Sequence, residues 1–141
     1  MMIISAQVDN SHNSHQVTLS TGGKSHSIEI APKAGGFGSS TNGGELLFLA
    51  LATCYCNDIY REAASRNISV SRVVVQVDGE FDGLPGHPGE NIVYQATVEA
   101  AASEEAILEL IRHTDTVAEI QNTLRQVTGC KLGEIKAVSS L

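Results

Sequence analysis

The sequence predicts an α+β fold, and three observations carry that prediction. Short stretches of period-two alternation open the chain, an apolar run of helical length follows, and a second pair of alternating stretches precedes two stretches with helical spacing. Ile3 to Val8, Gln16 to Ser20 and Ser25 to Ile30 are expected as three antiparallel strands. The polar stretch from Asp9 to Ser14 and the Thr21-Gly22-Gly23 stretch separate them as turns. Ala31 to Gly44 holds five glycines, one proline and three hydroxyl residues, so it is a loop, and its length suits a functional role.

A helix over roughly Glu45 to Ser65 follows. Asn42 is the best capping candidate, but Gly43 and Gly44 are poor helix formers, which puts the firm start near Glu45. Leu46 to Ala52 is apolar throughout, and Ile59, Tyr60, Ala63 and Ala64 continue that character, so the helix is expected to be central and buried until Arg66-Asn67 ends it. Val70 to Phe81 aligns Val73, Val75, Val77 and Phe81 on one strand face; Asn91 to Ala100 aligns Ile92, Tyr94, Ala96 and Val98. Asp82 to Gly89 is the wide turn of that hairpin. Ser103 caps a helix whose first turn holds Glu104 and Glu105 and whose apolar stripe is Ile107, Leu110 and Ile111. A short helix over about Thr116 to Gln126 carries Val117, Ile120 and Leu124, and Ile135 to Val138 is a candidate last strand.

At 141 residues the chain suits one domain with a sizeable core. A formal charge of -7, with Lys24, Lys33, Lys131 and Lys136 scattered, excludes a nucleic-acid backbone as partner. The apolar run from Leu46 falls short of the roughly 20 residues a membrane span needs. Met1 to Ser5 shows no basic region, so a cytoplasmic protein with reduced thiols is expected.

A glycine-rich loop running into an apolar helix with Cys54 and Cys56 is a candidate thiol site. A reactive thiol needs a cation, hydrogen bonds or a helix terminus to lower a pKa of about 8.5, and Cys54 lies too far along its helix to use the helix start. Redox chemistry and plain core packing are both open for it. Cys56 points roughly 200° away on the helix and suits packing or, in a dimer, a contact with its symmetry mate, while Cys130 is open to resolving Cys54 or to being a spare thiol. His12 and His15 lack a carboxylate or cysteine pattern to complete a metal site, and His26 and His87 lack an evident partner. His113 with Asp115 can supply a base or simply end a helix. Phe37, Phe48, Tyr55 and Tyr60 can line an apolar pocket or pack a core. The glycine loop lacks the Gly-Lys-Ser/Thr ending of a phosphate loop, so neither metal nor cofactor is expected.

From Thr41-Asn42-Gly43-Gly44-Glu45-Leu46-Leu47 to Ala52-Thr53-Cys54 the chain resembles the OsmC/Ohr family of thiol peroxidases. The resemblance implies an OsmC-like fold, with antiparallel sheets around a long central helix in an intertwined homodimer. It also implies a peroxidatic cysteine on the central helix, a resolving cysteine on a later helix, and an Arg/Glu pair that keeps the first thiol ionised. Cys54 matches the peroxidatic position. Gly44 stands where the family commonly has the glutamate, with Glu45 next to it as the candidate substitute. Ala118 stands at the resolving position, and Gln16 to Ile30 holds Lys24 but no arginine. The expected function is therefore thiol-dependent reduction of organic or hydrogen peroxides in oxidative-stress defence. Cys54 and Glu45 are its site residues and an external thiol completes the cycle. The alternative is a non-enzymatic OsmC-like binder of a small apolar ligand that has lost the redox pair.

Overall fold

A computed structural model describes residues 1–126, 129–138 and 140. The chain divides into two compact units, Met1–Leu49 and Ala50–Leu141. The class is α+β, with two antiparallel sheets and three helices among the described residues.

The first unit holds β1 (Ile4–Ser11), β2 (Ser14–Thr21) and β3 (Lys24–Ile28), antiparallel in that order. The three expected strands are present, but the first turn is tighter than the polar stretch suggested. Ser11 pairs with Ser14, leaving only His12 and Asn13 in the connection, with Asn13 at φ 59°. Polar side chains suit an exposed strand as well as a turn, and β1 is exposed along its whole length. At the second turn Gly22 and Gly23 both take positive φ, as a tight hairpin connection requires.

The long loop is pinned back on this sheet. Pro32 bridges to Ser39, and Asn10 grips Gly38 twice: its Oδ1 accepts from Gly38 N at 3.0 Å and its Nδ2 donates to Gly38 O at 3.1 Å. Gly36 sits at φ 112°, and a Cβ there would stand 2.5 Å from the His12 ring, so the loop closes only with glycine at this place.

Helix α1 (Gly43–Ser65) starts two residues before the expected position. The glycines cost helix propensity, but a reciprocal cap fixes the start. Glu45 N donates to Asn42 Oδ1 at 2.8 Å, and Asn42 N donates to Glu45 Oε1 at 3.0 Å. Its far end closes with Asn67 at φ 54°, Asn67 N bonded to Ala64 O and Ile68 N to Ala63 O. That is a left-handed C-terminal cap in which asparagine does what glycine usually does.

In the second unit α1 buries a stripe, Leu51, Tyr55, Asp58, Ile59 and Ala63, rather than its whole circumference. Tyr60 remains 44% exposed, so the expectation of an all-round buried helix is not met within one chain. The stripe follows the helical repeat and meets a hairpin of β4 (Ser69–Glu80) and β5 (Glu90–Ala101). Val73 pairs with Val98 and Val77 with Tyr94. The alternating set Val70, Val73, Val75, Tyr94, Ala96 and Val98 packs on the core of Tyr55, Ile59, Ala63, Leu110 and Ala118. Phe81 leaves that face and lies over Gly89 in the turn, where a Cβ would come within 2.5 Å of its ring.

Helix α2 (Glu104–Val117) is capped by Ser103, whose Oγ accepts from Ala106 N at 3.2 Å. Helix α3 (Glu119–Arg125) begins later than expected, because Thr116 and Val117 complete α2 and Ala118 interrupts the helix with ψ 112°. Ile135 to Val138 forms no strand: alternation alone cannot make one, and no described strand offers it a ladder. Among the described residues no helix is long and apolar enough to cross a membrane.

Candidate functional site

Cys54 is the half-buried centre of a charged cluster within the second unit. Four residues further along α1, on the same face, Asp58 Oδ2 accepts from the Cys54 thiol at 3.5 Å. The first residue of α3, Glu119, brings Oε2 to 3.7 Å from the same sulfur. Arg61 then ties the two carboxylates together: its Nη1 lies 3.0 Å from Asp58 Oδ1 and 3.1 Å from Glu119 Oε1. Its Nε donates to Glu62 Oε2 at 3.1 Å, and Glu62 Oε1 meets His113 Nε2 at 2.7 Å.

The electrostatics follow from these neighbours. Burial pushes the Cys54 thiol up, the backbone of Ile120 offsets part of that, and the carboxylates of Asp58 and Glu119 add to the rise. Burial also raises Asp58, reinforced by its hydrogen bond to Glu119, while Glu119 is lowered by its own backbone N–H and further by Asp58 and Arg61. A proton within the carboxyl pair therefore prefers Asp58. The sulfur and one oxygen from each carboxylate lie within 4.8 Å of one another, a donor set of the kind that can hold a metal ion. The charge both carboxylates face is the Arg61 guanidinium.

The other expected site residues fall elsewhere. Glu45 is bound up in the cap of α1. Cys56 borders a separate cavity of about 250 Å³ with Ala52, Thr53, Asn57 and Val75, and Cys130 is exposed. His113 and Asp115 do not act together. His113 pairs with Glu62, whereas Asp115 accepts from Tyr94 Oη and from Arg125. His87 has a partner the sequence did not suggest, Asp82 at 2.6 Å, inside the β4–β5 turn. His12 packs its ring on Phe37 at 5.1 Å, and His15 meets Asn10. Tyr55 belongs to the core rather than to a pocket wall: its hydroxyl donates to Ile111 O at 2.7 Å and its ring stands edge-on to Tyr94 at 4.9 Å. Burial pushes its phenol up to about 12.

A sequence profile of OsmC-like proteins matches residues 36–132, which spans α1, the β4–β5 hairpin, α2 and α3. The chain belongs to the OsmC-like family. A comparison with curated proteins finds no match. Among solved structures, an OsmC-like protein from Mycoplasma pneumoniae superposes with TM-score 0.62 at 22% identity, covering 90% of this chain and 89% of that one. An OsmC-like protein of unknown function from Vibrio cholerae gives 0.56 at 12% identity, with 87% and 91% covered. An organic hydroperoxide resistance protein from Legionella pneumophila gives 0.53 at 17% identity, with 89% of each chain covered. At these identities the likeness is one of fold. Within this OsmC-like chain, Ala118 is fully buried at the α2–α3 break and places Glu119 beside the sulfur.

Proposed function

We propose that this OsmC-like protein is a cytoplasmic, single-domain thiol peroxidase that reduces organic or hydrogen peroxides at Cys54. The observation that carries the reading is the 3.5 Å contact between the Cys54 thiol and Asp58, which provides a proton acceptor for a thiol that its surroundings keep protonated. Family membership and the names of similar structures, organic hydroperoxide resistance proteins among them, support it.

In this mechanism the Asp58–Glu119 pair accepts the thiol proton, and the sulfur attacks the distal oxygen of the peroxide. The S–O bond forms, the O–O bond breaks, and the departing alkoxide takes the proton back from the pair. Thiol and peroxide become sulfenic acid and alcohol. Ala118 carries no thiol, so an external thiol condenses with the sulfenic acid, releasing water. A second external thiol then displaces Cys54 as a thiolate and leaves as the disulfide. Glu45 contributes by fixing the start of the helix that bears Cys54.

The protein is expected to act as a homodimer. The three-stranded sheet supports this, since β1 is exposed throughout, with Ile4 67% and Val8 60% accessible, more apolar surface than one thin sheet leaves open in a stable monomer. Light scattering coupled to size exclusion at micromolar concentration is expected to give twice the chain mass of 14.9 kDa, and a monomer would remove the dimer from this reading.

The raised Cys54 thiol and the missing thiol at Ala118 favour the alternative, a non-enzymatic binder of a small apolar ligand. Mass spectrometry after an organic hydroperoxide and a sulfenic-acid trap separates the two. The peroxidase reading expects stoichiometric trapping at Cys54 that Cys54→Ser abolishes. Slow oxidation spread over Cys54, Cys56 and Cys130 would leave the binder.

A further inference from the structure

Three ligand-type atoms converge between α1 and the start of α3. Cys54 Sγ lies 3.5 Å from Asp58 Oδ2 and 3.7 Å from Glu119 Oε2, and the sulfur and one oxygen of each carboxylate fall within 4.8 Å of one another. A thiol carries one hydrogen, so a single hydrogen bond accounts for only one of the two sulfur contacts. A tetrahedral zinc ion, with bonds of about 2.3 Å to sulfur and about 2.0–2.2 Å to oxygen, holds a sulfur and an oxygen ligand about 3.5–3.7 Å apart. Both contacts already have that length.

From this spacing we infer that Cys54, Asp58 and Glu119 form a binding site for a thiophilic divalent cation of the zinc class, with water at the fourth position. Donor chemistry and charge select that class. One thiolate with two carboxylates suits zinc, whereas calcium and magnesium take all-oxygen shells. Arg61 orients the ligands from outside. Its Nη1 holds the other oxygen of each carboxylate, Asp58 Oδ1 at 3.0 Å and Glu119 Oε1 at 3.1 Å, which leaves Oδ2 and Oε2 facing the sulfur. With the thiol ionised, three anions and one guanidinium leave two negative charges, which a divalent ion neutralises. The Glu119 side chain is 63% exposed, so an ion can enter from solvent. Binding expels the thiol proton and occupies the sulfur lone pair that attacks peroxide. On the peroxidase reading zinc therefore shields Cys54 from oxidation, but the site itself does not rest on that reading.

Titration of the reduced, metal-free full chain with cobalt(II) tests the site. A thiolate-to-cobalt charge-transfer band and visible bands of tetrahedral intensity are expected, saturating at one ion per chain and lost on adding zinc. Cys54→Ser should remove the charge-transfer band although Cys56 and Cys130 remain. Glu119→Gln, at an exposed position that leaves the fold intact, should weaken cobalt binding by more than about tenfold, the lower end of what losing even an outer-shell partner costs. Zinc should also protect Cys54, and not the exposed Cys130, from iodoacetamide in mass-spectrometric mapping. A band that survives in Cys54→Ser, an affinity unchanged in Glu119→Gln, or no saturable band in the parent protein would overturn the site. None of these readouts uses peroxide. Their failure removes the metal site and leaves the peroxidase reading standing, whereas failure of sulfenic-acid trapping in metal-free protein leaves the metal site standing.

Discussion

Asp58→Asn is expected to move two properties of Cys54 in opposite directions. Removing the carboxylate charge beside the sulfur takes away one of the causes of the raised thiol pKa, so alkylation by a neutral reagent should titrate at lower pH. The same change removes the proton acceptor 3.5 Å from the sulfur, and peroxide-dependent sulfenic-acid formation at neutral pH is expected to fall by about a hundredfold, the scale of general-base catalysis. A role confined to charge or packing predicts the reverse, a faster reaction because more thiolate is present. If Asp58→Asn reacts with peroxide faster than the parent, the proton-acceptor mechanism is wrong.

The same variant carries its own control for folding. The Asp58 carboxyl titrates higher in the folded chain than its ordinary 3.8, so the folded state holds the proton more tightly than the unfolded one. Ionising it costs stability. That cost is absent below about pH 3.8, opens as pH rises above it, and is complete once pH passes the raised folded value. Asparagine carries no such cost and can still accept from Arg61 and donate to Glu119. Thermal melts are therefore expected to coincide at low pH and to favour the variant increasingly toward neutrality, which makes Asp58 a group held at the expense of stability.

Half of this cluster is legible in the sequence. Cys54 and Asp58 are four residues apart on an apolar helix, a spacing that puts them on one face. Asn57, Asp58, Arg61 and Glu62 read equally well as the polar end of that helix, and only tertiary burial of Asp58 separates the two readings. Glu119 lies 65 residues away and has no local signal; its position depends on the break at Ala118, a residue with no cap or glycine to announce it. The strands were legible because alternation survives in any sheet with one covered face, as Val73, Val75 and Val77 show. Where both faces are exposed, as in β1, the same polar residues served strand and turn, and the hairpin boundary was lost. Ile135 to Val138 shows the converse: a strand pattern means nothing until a neighbour pairs with it.

Tyr55→Ala is expected to destabilise the protein by about 3–5 kcal/mol, the range for truncating a buried aromatic. Tyr55 is 1% exposed, packs edge-on against Tyr94, and bonds α2 through Ile111 O, so one side chain joins α1, β5 and α2. For a chain of this length the melting temperature should fall by about 10–20 °C. Tyr55→Phe keeps the ring contacts and loses one hydrogen bond, at a cost of about 1 kcal/mol, so thermal melts of the pair separate packing from hydrogen bonding. The contrast also decides between the two uses open to this aromatic in the sequence. A pocket-lining tyrosine would change ligand affinity with little change in melting temperature; a core tyrosine lowers the melting temperature first. Because Tyr55 directly follows Cys54 on α1, losing its anchorage also loosens the turn that sets the sulfur against Asp58. Peroxide-dependent trapping at Cys54 is then expected to decline in Tyr55→Ala even below the melting transition, and to persist in Tyr55→Phe.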